Sequence, residues 1–114
     1  MVNVFAITTY TYTLGYGITT TYDGVAIQYQ GRLSARSAEG AQLSVYGLSP
    51  GSPVPAAAYC NTAETQGAIF VPFADLHNYV DLVRNEKPVY ARLDPVLGMT
   101  ISTSLEPPGE DESS

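Results

Sequence analysis

The first 22 residues, MVNVFAITTYTYTLGYGITTTY, carry no charged side chain and consist almost wholly of Thr, Tyr, aliphatic residues and Gly. Branched and aromatic side chains are crowded at χ1 in a helix but fit a pleated surface, so this stretch is restricted to strands. Residues 2–14 predict one long strand, with Val2, Val4, Ala6, Thr8, Tyr10, Tyr12 and Leu14 on one face. Asn3, Phe5, Ile7, Thr9, Thr11 and Thr13 then share the other face. Gly15-Tyr16-Gly17 reads as a turn and 18–22 as a short strand. Asp23-Gly24 is a two-residue hairpin signal, because both positions of such a turn need positive φ.

Residues 25–36 alternate as a half-buried strand does. Val25, Ile27, Tyr29, Leu33 and Ala35 are expected on the apolar face, with Gly31 marking a bulge or a close backbone approach. Ala38-Glu39-Gly40 turns the chain, and Ala41, Leu43 and Val45 continue an apolar face, so 25–48 reads as one antiparallel hairpin. Residues 49–67 break the pattern. Pro50, Pro53 and Pro55 exclude a regular helix or central strand there, and a loop of this length in a small domain is often functional. Residues 68–73 read as a short strand. Leu76, Tyr79, Val80 and Val83 then recur at helical spacing, predicting one helix over about 74–86 that Pro88 stops. Strands at 89–94 and 99–105 follow, separated by a turn at 95–98.

A meander of strands with a single helix predicts a mainly β fold. The expectation is an antiparallel β-sandwich or barrel of about seven strands with one short α-helix. Residues 1–105 form a single β-rich domain in this reading. Residues 106–114 form an acidic tail, rich in Pro, Gly, Ser and acids, of the composition that stays unfolded.

Charge narrows the partners. The net charge is −6, but Glu106, Glu110, Asp111 and Glu112 account for four of the eleven acids. Seven acids therefore face five bases in residues 1–105, a near-neutral body. Arg32, Arg36, Arg84, Lys87 and Arg92 form no cluster in sequence, which argues against nucleic-acid binding. No run of 18 apolar residues is present, so no membrane-spanning helix is expected. No signal peptide is visible at the amino terminus, and a cytoplasmic location is the default expectation.

Catalytic and metal chemistry find little support. His77, Asp81 and Arg84 fall at i, i+4 and i+7 on the expected helix, where a carboxylate would orient an imidazole as general base. The ordinary reading is a solvated helix face with an ion pair. Cys60 with His77 is the other weak candidate, as nucleophile and base, although a single Cys is usually a small buried hydrophobe. One His and one Cys do not supply a zinc site, and no phosphate-binding glycine loop precedes the helix, so no metal or cofactor is expected.

The uncharged hairpin is the remaining candidate. Thr9, Tyr10, Thr11, Tyr12, Thr13, Tyr16 and Tyr22 offer hydroxyls and ring faces without ions. The first reading is a non-catalytic interaction or self-assembly module, either a homo-oligomer or a binder of another protein, because a strand such as 8–14 has no charge or Pro to block pairing. The alternative is a neutral small-ligand or carbohydrate-binding module that uses Tyr rings and the 49–67 loop. A small enzyme built on His77 or Cys60 is the least supported.

Overall fold

The computed structural model describes residues 3–95 and 98–103. Its described strands form two sheets. The larger has five strands in the order β2-β3-β4-β6-β5: β2 is Thr9–Tyr22, β3 Val25–Arg36, β4 Gln42–Leu48, β5 Tyr59–Cys60 and β6 Gln66–Pro72. The smaller has the order β1-β7-β8, with β1 at Asn3–Ala6, β7 at Val89–Leu93 and β8 at Thr100–Thr103. One helix, α1 (Phe73–Asn85), follows β6 directly. The fold is mainly β and sandwich-like, with no closed barrel. Pairing is antiparallel throughout except for β4 and β6, which run parallel.

The helix and the small sheet cover one face of the large sheet. Leu33 and Val45 pack there against Leu76, Val80 and Val83 of α1 and Val89 of β7. Leu43 packs against Phe5, Ala91 and Leu93 of the small sheet. The apolar stripe of the helix is therefore its buried side, as its spacing predicts, with Tyr79 half-buried at the margin. α1 starts after Pro72 without a capping side chain, a loss of about 1 kcal/mol. Its three buried residues outweigh that loss, since each contributes about 1.5–3 kcal/mol on leaving water. Gly31 and Gly47 let the helix sit close. A Cβ at Gly31 would lie 2.6 Å from Leu76 Cδ2 and 3.0 Å from Phe73 Cε1.

The amino-terminal strand differs from the sequence expectation. It is two strands, not one: β1 joins the small sheet, and the chain crosses at Ile7-Thr8 to enter the large sheet as β2. Gly15-Tyr16-Gly17 is not a turn. It is a bulge inside the continuous strand β2, where Leu14 pairs with Gly31 and Ile18 with Tyr29, so that three residues stand opposite Gln30 alone. Gly17 takes φ 71° there, a conformation that favours glycine.

The same irregularity corrects the face assignment of β3. Its pairing with β4 also slips between Tyr29 and Gly31. A slip of one residue exchanges the faces of a strand. Leu33 and Ala35 therefore face the helix and small sheet, whereas Val25, Ile27 and Tyr29 pack on the opposite face with Tyr46, Leu48 and Ala68. There the distal half of the β2–β3 hairpin bends back across the sheet. Tyr22 packs edge-on against Tyr46 and Phe70, and its hydroxyl lies 2.9 Å from the Tyr46 hydroxyl. Asp23 and Gly24 close the hairpin with φ of 50° and 76°, the double positive φ that the dipeptide predicts.

The region 49–67 is less irregular than expected, because it contains β5 and the first residues of β6. The expected acidic tail at 106–114, the last residues of the final strand and Val2 lie outside the described residues. Among the described residues no helix is long and apolar enough to cross a membrane.

Candidate functional site

β2 is an edge strand. It pairs with β3 on either side of the bulge and with no other described strand. The sequence Thr9–Tyr22 holds no charge and no Pro, so the stretch Thr9–Leu14 ahead of the bulge lacks these two blocks to strand addition. Among the described residues, three of the five exposed large apolar side chains lie on it: Tyr10, Leu14 and Tyr16, the last 93% exposed at the bulge.

Cross-strand register places the candidate residues. Thr9, Thr11 and Thr13 are exposed and stand opposite Arg36, Ser34 and Arg32. Tyr10 and Tyr12 stand opposite Ala35 and Leu33 on the other face, where Tyr12 is half-buried against the helix-side core. Residues 9–16 thus share one edge, with a threonine face and a tyrosine face. Tyr22 does not belong to it. Its ring is half-buried in the aromatic cluster, and its hydroxyl is committed to Tyr46. Leu14, 61% exposed beside the bulge, belongs to the edge and was not among the sequence candidates. Its strand position alone carries no signal of exposure, since the alternation groups it with half-buried Tyr12.

A hydrogen-bonded polar ladder lies on the threonine face. Arg36 Nε donates to Gln42 Oε1 (3.1 Å), Gln42 Nε2 donates to Ser44 Oγ (3.0 Å), and Arg32 Nη2 donates to the same Oγ (3.3 Å). The Arg32 guanidinium also lies 5.5 Å from the centroid of the Tyr46 ring. These bonds hold both arginines along β3 and β4 rather than at the outer edge of β2. The nearest cations to the edge are therefore partly occupied, and the edge itself presents hydroxyls and apolar groups.

The weaker candidates lie on different elements, His77 and Asp81 on α1 and Cys60 on β5. His77 is exposed on α1. Asp81 pairs with Arg84 at 2.9 Å, both side chains more than half exposed, so the ion pair of the ordinary reading forms without the imidazole. Such a pair contributes under about 1 kcal/mol. Cys60 is half-buried on β5 against the Phe5–Leu43 cluster. Burial pushes its thiol pKa up, and the negative charges of Glu64 and Asp94 push it further. A thiol held protonated is a poor nucleophile at neutral pH. Among the described residues, no three His, Cys, Asp or Glu side chains gather to hold a metal ion.

The comparisons with known proteins add no relative: the chain matches no protein-family model, no curated protein and no solved structure.

Proposed function

We propose that this chain is a non-catalytic self-assembly module, in which the β2 edge of one copy pairs with the β2 edge of a second. One contrast carries the reading. The other edges among the described strands are short, with two residues in β5 and four each in β1 and β8. Short edges are a common protection against strand addition. β2 is the exception, with six unbroken paired residues before its bulge, Thr9–Leu14, and no protective charge.

A two-fold axis suits this strand. Pairing a strand with its own copy places the same residues on both sides, so any charge there would meet its like. β2 carries none. Thr9, Thr11 and Thr13 would supply cross-strand hydroxyl pairs, and Tyr10, Leu14 and Tyr16 would leave water together. Residues 1–105, with seven acids and five bases, carry only a minor share of the net charge of −6, so this part of the chain adds little long-range repulsion between copies.

Sedimentation velocity on the parent chain and on Thr11→Lys and Thr11→Glu tests the reading. Thr11 stands opposite Ser34, so either substitution charges the edge without facing a charge directly across the pair. Thr13→Lys is less clean because Thr13 stands opposite Arg32, and like charges across a pair destabilise the hairpin itself. Both Thr11 variants are expected to remain folded and to lose association. Association retained by both would remove β2 from the interface.

A further inference from the structure

We propose that the cleft at the carboxyl ends of β4 and β6 binds an uncharged, largely apolar small molecule bearing one or two hydrogen-bonding groups. β4 and β6 are the parallel pair, and both end here, at Leu48 and Pro72. One chain leaves into residues 49–54 and the other enters α1, and the cleft opens between them. Crevices beyond the carboxyl ends of parallel strands, where connections part, recur as ligand sites for this topological reason.

The cleft has a volume of about 600 Å³, the size that encloses a small ligand. Leu48, Val54, Phe70, Val71 and Phe73 are its large apolar wall residues. Among the described residues no charged side chain lines it, so an ionic ligand would lose its hydration without gaining a counter-charge there.

Two polar side chains on the wall are uncommitted. The Gln30 amide and the Ser49 hydroxyl line the cleft and make no side-chain hydrogen bond among the described residues. The third, Ser52, is occupied: its Oγ accepts from Gln28 N (2.9 Å) and donates to the Pro53 carbonyl (2.9 Å). Two free groups match a ligand with one or two polar atoms. They are too few for a sugar, whose many hydroxyls would each need a partner.

The wall is also fixed before any ligand arrives. Ser49 N donates to Gln28 O (2.9 Å), Ser52 N donates to Ser49 O (3.1 Å), and the Gln28–Ser52 bond closes the third side. Pro50 and Pro53 further restrict the loop. A preformed site loses less entropy on binding than one that must order.

The neutral naphthyl ketone dye prodan is the probe, titrated into the full chain with emission as readout. Saturable binding of one dye per chain, with a blue shift, is expected. Val54→Glu, at a residue 60% exposed, should weaken it about tenfold, the effect of one unpaired charge facing an apolar ligand. Val4→Glu, at an equally exposed apolar residue of β1 away from the cleft, should bind as the parent does. Thr11→Lys should also bind as the parent, which separates this site from the assembly edge. The anionic 2-naphthalenesulfonate should not saturate. Absence of saturable prodan binding, equal affinities for Val54→Glu and Val4→Glu, or equally tight sulfonate binding would each overturn the proposal.

Discussion

Tyr22 and Tyr59 sit on strands at opposite edges of the five-stranded sheet, yet their ring centroids are 5.4 Å apart. The contact exists because the β2–β3 hairpin bends at the bulge opposite Gln30 and lays its tip over β4, β6 and β5. The sheet thereby covers its second face with its own strands instead of a second layer. Ile27, fully buried, shows how complete that cover is.

The aromatic cluster anchors the bend, and Tyr22 is its outermost polar link. Tyr22→Phe removes the hydroxyl pair with Tyr46 and leaves a buried phenol short of a partner. Unfolding in urea should show a loss of about 1 kcal/mol. Replacing both tyrosines by Phe should recover part of it, because no orphaned hydroxyl then remains.

Alkaline pH should loosen the same cluster. Burial raises the Tyr46 phenol pKa most, and the Tyr22 hydrogen bond and the charge of ionised Tyr22 raise it further, against a smaller lowering by Arg32. A phenol whose folded pKa exceeds its unfolded value of about 10 favours the fold fully below that pH. The contribution is lost as pH rises past it, since the unfolded chain ionises first. Stability measured by urea unfolding should therefore fall from pH 9 to pH 11. A Tyr46→Phe variant should lose less over that interval.

Helix seating depends on Gly31. A Cβ there meets Leu76 and Phe73, and Leu14 Cδ2 stands 3.3 Å away on the third side. Gly31→Ala should cost about 1–3 kcal/mol as an overpacked position. Thermal unfolding compared with Ala26→Gly, at an exposed position of the same strand, checks whether the loss comes from packing.

The Cys60 thiol should be slow to react. Burial and two neighbouring carboxylates keep it protonated, so labelling of folded protein at neutral pH should lag well behind a free-thiol control. Labelling as fast as the control would place the thiol in a different environment.

The sequence made some of this fold readable and concealed other parts for definable reasons. Asp23-Gly24 has one conformational use, and the Leu76–Val80–Val83 spacing has one buried face, so hairpin and helix were legible. Gly15-Tyr16-Gly17 has two uses: the positive φ that makes a turn also makes a bulge, and only the pairing partner decides. The exchanged face of β3 follows from that ambiguity, since Val25, Ile27 and Leu33 are apolar on whichever side they fall. The parallel pairing of β4 with β6 left no local signal either, because 68–71 is apolar on both faces. At the candidate edge, Thr9, Tyr10, Thr11, Tyr12, Thr13 and Tyr16 drew notice through their missing charges, whereas Leu14 carried no signal of its exposure. The cleft was not, because Leu48, Gln30 and Phe73 are brought together by tertiary structure alone.

Assembly through β2 is tested most directly by the solution mass of the purified chain, measured by light scattering across a concentration series. Pairing of β2 edges about a two-fold axis uses up both edges, so the parent is expected to be a discrete dimer, and Thr11→Lys a monomer of mass near 12.2 kDa. A parent chain that stays at 12.2 kDa at every concentration would contradict it.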